Sequence, residues 1–289
     1  MASLSVVTPS YRPDLELCRQ LNQSLQKFGP ADLTHRIIVP TVDLDIFAGI
    51  GDVRDASQYL PRSFVPIPRN LWINLRHPIP PIRGWIAQQV IKLASAAQST
   101  SSVVLLVDSD IVFIRPFSVD TFYRNGQTRF FRAANAVHIG MERHILWHRV
   151  ARKLLGLPAS DRIPFHDYIC WPMSWDPRIV RAMLQRVQEK TGKTWQSAIA
   201  AQLHFSEGIL YGVYVDEVLG GTPYSADTML CMNYWDETPF DENALATFMS
   251  NASSSDVAVM ISAKSGTPLE VRTRALAKIG MLVETASIA

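Results

Sequence analysis

The segment Val103-Val104-Leu105-Leu106-Val107-Asp108-Ser109-Asp110 decides how the chain is read. Its five apolar residues, three of them Val, form a strand buried on both faces, as in a parallel sheet. Two carboxylates follow at the C-terminal end, and open parallel sheets bind ligands beyond the carboxyl ends of their strands. While the chain stays extended, residues at i and i+2 point to the same side. Such a pair repels itself unless a cation lies between or near it. A hard divalent ion suits oxygen ligands, and diphosphate oxygens can complete its shell. The competing account is local: an Asp after a strand is a common turn former or helix N-cap, and D-x-D triplets arise by chance. The surroundings favour function, because the apolar run resumes through Ile111, Val112, Phe113 and Ile114.

Outward from this segment, strands alternate with helices. Leu4 to Thr8 is a β-branched strand that runs into Pro9-Ser10-Tyr11-Arg12-Pro13. Asp14 to Phe28 has helical spacing at Leu15, Cys18, Leu21, Leu25 and Phe28, and Gly29-Pro30 ends it. Arg36 to Pro40 and Ser63 to Ile67 read as strands. Pro78 to Pro81 breaks the chain before a helix over Arg83 to Gln98. In the second half, strands are expected at Phe130-Phe131-Arg132, Tyr168 to Trp175 and Asp256 to Ile261. Helices are expected at Ile139 to Leu155, Pro177 to Glu189 with Asp176 as N-cap, Glu207 to Leu219 with Ser206 as cap, and from Leu269 onward. The alternation predicts an α/β fold with a mixed, mainly parallel sheet and helices on both faces. Neither a repeat nor a low-complexity linker divides the chain. One domain over 1–289 is the expectation, with 121–289 packed on 1–120.

Bulk composition narrows the function classes. Of 289 residues, 47% are hydrophobic, enough for a core, and 19% are charged, below the usual ~25%. A net charge of +2 without a basic run gives no reason to expect nucleic-acid binding. Cys18, Cys170 and Cys231 are too far apart in sequence for a CxxC or zinc-ribbon motif. Isolated thiols suit a reducing compartment. The opening MASLSVVTPSYRP lacks the charged and apolar regions of a signal peptide, and no apolar run is long enough to span a bilayer. A cytoplasmic protein is expected, with peripheral membrane contact left open.

VVLLVDSDIVFIRPF, from Val103 to Phe117, resembles the D-x-D region of GT-A glycosyltransferases: an apolar strand, D-x-D, an apolar triplet, then Pro. SVVTPSY at Ser5 to Tyr11 resembles their first strand and nucleotide-binding loop. Arg83-Gly84-Trp85 with Gln88, Gln89, Lys92 and Leu93 resembles the helix before D-x-D in bacterial members. SEGILYGVYV, from Ser206 to Val215, resembles the acidic-led helix near their acceptor site. The likeness is strongest over residues 1–120 and 206–215.

The resemblance implies a GT-A-like (Rossmann-like) fold, with 1–120 the nucleotide-sugar half and 121–289 the acceptor half. It implies transfer of a sugar from a UDP- or GDP-sugar to an acceptor hydroxyl, the acceptor being a glycan, a lipid-linked intermediate or a small molecule. Thr8, Pro9, Ser10 and Tyr11 would surround base and ribose. Asp108, with Ser109 beside it, would contact the ribose or a metal-bound water, and Asp110 would ligate Mn²⁺ or Mg²⁺ directly.

Other residues carry two readings each. Gln88 and Lys92 share a helical face with Gln89 beside them, and this polar stripe faces either water or the nucleotide. Lys92 would reach a phosphate as a point charge. Glu207 is a first-turn acid that complements the helix dipole, or a general base for an inverting transfer. His204, three residues before it, is a candidate third metal ligand or an ordinary histidine. Lys264, in Lys264-Ser265-Gly266-Thr267-Pro268, neutralises diphosphate from a closing loop or sits in a plain connection. Two rival functions stand beside transfer. LLVDSDIV also fits a phosphatase of the haloacid-dehalogenase type, with Asp108 as nucleophile and Asp110 as acid/base. A binding module that keeps the fold without catalysis is the third.

Overall fold

The computed structural model describes residues 2–68 and 71–286, with side chains through residue 277. Its central sheet has five strands in the order Met173–Trp175, Val103–Leu106, Leu4–Pro9, Thr34–Val39, Asp52–Asp55. The last four run parallel, in registers that include Leu4 with Val103, Ser5 with Thr34 and Arg36 with Asp52. Met173–Trp175 is antiparallel and pairs Met173 with Leu106. The fold is therefore mixed α/β around a parallel-rich sheet.

Val103 to Val107 has no exposed surface, which explains its unbroken apolar run. Thr34–Val39 shows the period-2 logic of a strand covered on both sides. Ile37 and Val39 pack with Cys18 of the Leu15–Phe28 helix, while Ile38 joins the main core. The Gly84–Gln98 helix packs on the first strand and against the Pro177–Thr191 helix. The main core runs from Leu4 to Met260, so both halves of the chain share it.

Smaller sheets flank the central one. Phe64–Ile67 forms a strand, but in a separate antiparallel sheet with Leu71–Asn74 and His77–Arg83. The prolines at 78, 80 and 81 do not break the chain as the sequence suggested. His77–Arg83 is an edge strand, where a residue without an N–H is tolerated. A three-stranded sheet orders Cys231–Tyr234, Ala258–Ile261 and Ile111–Phe113. It ties the segment after Asp110 to the late strand. The expected strand over Tyr168 to Trp175 shortens to Met173–Trp175, because Pro172 has no N–H for a ladder. The expected Glu207–Leu219 helix is α-helical only to Val213 and continues as a π-turn over Tyr214–Val218. Asp176 accepts from the Arg178 amide at 2.8 Å and caps Pro177–Thr191 as the sequence indicated. The three cysteines are buried and unpaired. Among the described residues no helix is long and apolar enough to cross a membrane.

Candidate active site

The polar stripe of the Gly84–Gln98 helix is turned largely into the protein. Gln89 and Lys92 are buried, and Gln88 is half-buried. The side-chain oxygen of Gln89 accepts from the Glu207 amide at 2.8 Å, satisfying one orphan N–H at the start of the Glu207–Val213 helix. Ser206 accepts from the Ile209 amide at 3.3 Å and completes the cap. Lys92 Nζ lies 2.7 Å from Asp108 Oδ1 and 3.1 Å from Glu207 Oε1, with the Trp171 ring 5.0 Å away. Burial opposes the charge on Lys92, but the two carboxylates outweigh it and raise its pKa above the usual lysine value. Lys92 is thus a fixed internal cation that joins the end of the central strand to the Glu207 helix.

Asp108 and Asp110 leave the sheet through a turn in which the Ile111 amide donates to the Asp108 carbonyl at 3.2 Å. The chain is not extended here, and the two side chains take different partners. Asp110 Oδ2 accepts from the Ala263 amide at 2.8 Å, in the loop after Ala258–Ile261. Asp14, on the loop beyond the first strand, accepts from Ser109 Oγ at 3.2 Å through Oδ2. Each of the three acids leaves one carboxylate oxygen without a hydrogen bond among the described residues. Their charges interact. Burial and then the Asp108 charge push Asp110 up to about 6, against the Ala263 hydrogen bond and Arg272. Burial raises Asp14 as well, with Asp108 adding to it. Arg272, buried and donating to the Ser262 carbonyl at 2.9 Å, is the counter-cation to Asp14 and Asp110.

The location of these acids follows from the sheet order. The chain steps from the first strand to Thr34–Val39 and Asp52–Asp55 on one side, then returns to Val103–Leu106 on the other. The order reverses between Leu4–Pro9 and Val103–Leu106. Asp14 and Asp108 lie just beyond the carboxyl ends of those two neighbours. That is the crevice where open α/β sheets bind ligands.

The other residues singled out in the sequence divide. Thr8 is fully buried and its hydroxyl lies 3.0 Å from His35 Nε2, so it is spent inside the fold. Pro9 and Ser10 are also buried. Tyr11 is 36% exposed at the surface, and burial and then the Asp14 charge raise its pKa. Lys264 is exposed beside Ala263, which binds Asp110. Glu207 is buried behind Lys92. His204 is exposed before the Glu207 helix. Among the described residues no three His, Cys, Asp or Glu side chains converge on one point, so His204 does not complete a cage with Asp108 and Asp110. The donor set still suits Mn²⁺ or Mg²⁺ shared with a diphosphate, since Mg²⁺ typically takes one or two carboxylates and fills its shell from phosphates and water.

Sequence reasoning missed Asp14 and Arg272 as partners of the pair. Asp14 carried only a weak signal, an acid just after the loop of the first strand. Arg272 carried none, because its position depends on the fold of the Ala263–Ser265 turn and the Leu269–Ala286 helix. The void beside Asp110 and Arg272 is only about 10 Å³. A cavity of about 730 Å³ lies elsewhere, lined by residues from 132 to 225.

Residues 2–254 match DUF6492, a family of unknown function. The matched span encloses Asp14, Lys92, Asp108, Asp110 and Glu207 and ends before Lys264 and Arg272. No curated protein matches the chain. With most of its length inside the family match, the chain belongs to the DUF6492 family.

Proposed function

We propose that this chain is a metal-dependent glycosyltransferase of the GT-A kind, moving a sugar from a UDP- or GDP-sugar to an acceptor hydroxyl. One observation carries the reading: three mutually repelling carboxylates stand at the switch point of a parallel sheet. Four acids, counting Glu207, are set against two internal cations, Lys92 and Arg272, which leaves negative charge in excess. A divalent ion offsets that excess, and when bound it supplies charge neutralisation of the departing diphosphate.

In this reading Asp110 and Asp108 hold the ion through their uncommitted oxygens. Tyr11, on the loop after the first strand, offers its ring to the base. Lys264 meets the diphosphate from the loop that binds Asp110. Lys92 is too deep to touch a phosphate and instead fixes the Asp108 carboxylate. A general base must come within hydrogen-bond reach of the acceptor hydroxyl. Glu207 is 6% exposed and ion-paired, so we assign it the positioning of Lys92 in place of a base role.

The test is a thermal-shift titration of the full chain with UDP and GDP, with and without Mn²⁺. Stabilisation of about 2.7 kcal/mol is expected at 100-fold over the dissociation constant, and only with metal. Lack of any shift at millimolar nucleotide with Mn²⁺ present overturns the reading. Hydrolysis of p-nitrophenyl phosphate that vanishes in Asp108→Asn favours the phosphatase alternative instead.

A further inference from the structure

The largest cavity among those described, about 730 Å³, has no part in the acid site. Its chemistry is of the opposite sign. Arg132, Arg152 and Arg162 line it, facing Asp216 and Glu217. Each acid is ion-paired with one of these arginines. Arg132 Nε donates to Asp216 Oδ2 at 2.6 Å, Tyr168 Oη donates to the same oxygen at 2.8 Å, and Arg152 Nη1 pairs with Glu217. Arg132 Nη2 lies 2.8 Å from His166 Nε2. Arg132 and Arg152 each keep one terminal amino group without a partner among the described residues. Arg162 has no carboxylate partner there at all. The cavity thus holds spare guanidinium donors, with three arginines set against two acids that are each already ion-paired. Ser160, Thr222 and Ser225 add hydroxyls to the wall.

The backbone is shaped to build this wall. Asp216 and Glu217 lie in the π-turn that extends the Glu207 helix. Consecutive residues on an α-helix point about 100° apart, whereas a π-turn re-aims side chains and recurs at functional sites. Here both acids line the cavity and hold two arginines beside it. Gly220 and Gly221, both at positive φ, then turn the chain so that Thr222 and Pro223 close the same side.

From this arrangement we infer a second ligand site, for a phosphorylated, hydroxyl-rich small molecule the size of a sugar phosphate. Planar guanidinium forks match phosphate oxygens in pairs, the hydroxyls suit a polyol, and the volume falls within the range of small-molecule pockets. The site is distinct from the acid cluster. Glu207 and Asp216 are nine residues apart along one helical run, about 13 Å at the helical rise. Its role as the place where an acceptor's phosphate is held rests on the glycosyl-transfer reading; its ligand chemistry does not.

The experiment is calorimetric titration of the full chain with glucose 6-phosphate, with glucose, and with inorganic phosphate, without nucleotide or metal. Glucose 6-phosphate is expected to bind at least tenfold more tightly than either fragment, about 1.4 kcal/mol. Arg162→Glu, at an exposed position, is expected to lose tenfold or more while circular dichroism stays unchanged. Thr222→Asp serves as a second variant with the same expectation. Asp110→Ala should bind glucose 6-phosphate like the wild type, which separates failure of this site from failure of the nucleotide reading. Equal binding of glucose, equal binding of inorganic phosphate, no saturable binding, or full affinity in both charge variants would overturn the assignment.

Discussion

Lys92 Nζ stands 2.7 Å from Asp108 and 3.1 Å from Glu207, two carboxylates 99 residues apart in sequence. This cation ties Asp108, beyond the end of the central strand, to the second-half helix that starts at Glu207. The end of that strand is therefore held from below, by a buried charge, as well as by its ladder to the first strand.

Removing that charge should cost more than removing an exposed one. Lys92→Met leaves Glu207 buried without its counter-charge, and breaking a buried pair from one side costs about 3–5 kcal/mol. Adding Glu207→Gln removes the stranded charge and should recover part of the loss. Urea denaturation of the wild type, the two singles and the double checks both points. A double variant no more stable than Lys92→Met would show that Glu207 is not the group left uncompensated.

Asp110→Ala tests the acid cluster directly. Burial and the Asp108 charge hold the Asp110 carboxyl above its ordinary pKa, so its ionised form is uncomfortable without a cation. The substitution should leave the ligand-free protein as stable as before or more so. It should also abolish the Mn²⁺-dependent shift with nucleotide. Asp14→Asn, one step further from the ion, should weaken that shift without abolishing it. A full nucleotide shift in Asp110→Ala would remove this residue from the site.

His35 sets an acid limit on stability. Burial lowers its pKa to about 3, so the folded protein keeps it neutral between Asn22 Oδ1 at 2.8 Å and Thr8 Oγ1 at 3.0 Å. The unfolded chain binds the proton near pH 6.5, so between that value and about 3 the unfolded state holds more protons. Stability then falls as pH drops through this window, by up to about 1.4 kcal/mol per pH unit from this residue. His148, lowered to about 4 chiefly by burial, acts in the same direction. Melting curves from neutral pH down to the upper fours should show the decline, and His35→Gln should flatten it. An unchanged slope in that variant would mean that His35 protonates freely in the folded state.

These residues also mark what the sequence reveals and what it hides. The apolar run Val103 to Val107 and the capped start at Asp176 are legible because strand burial and capping are local. The acid pair was visible for the same reason, being adjacent in sequence. Its geometry was not. The turn at Ser109 and the contact of Asp110 with Ala263, 153 residues away, come from the pairing of Ile111–Phe113 with Ala258–Ile261. The polar stripe of Gln89 and Lys92 looked ready for solvent or nucleotide because nothing near it in sequence announces that Glu207 covers it. The prolines at 78 to 81 read as a break because a sequence does not show which strand will be an edge. The arginine-lined cavity draws on segments from Arg132 to Ser225, none of which forms a motif by itself.

The helix joining the two sites is seated on a glycine. A Cβ built on Gly212 would lie 2.0 Å from Tyr168 Cγ and 2.2 Å from its Cδ2. Tyr168 cannot move aside cheaply. It is 5% exposed, stacks on Phe130 with centroids 5.6 Å apart, and donates to Asp216. Helix propensity favours Ala over Gly by about 1 kcal/mol, but overpacking of this kind costs about 1–3 kcal/mol or more. Gly212→Ala should therefore destabilise the fold on balance. It should also weaken glucose 6-phosphate binding, by displacing the Tyr168 ring that helps hold Asp216 and Arg132. Gly208→Ala is the control on the same helix, because the one tight neighbour of its Cβ would be the Met173 sulfur, at 3.2 Å, with Ile169 Cγ1 and Ser206 Oγ at ordinary contact distances of 3.7 and 3.8 Å, and methionine is flexible. Denaturant midpoints should rank Gly208→Ala well above Gly212→Ala, and the reverse order would mean that Tyr168 does not press on the helix at Gly212.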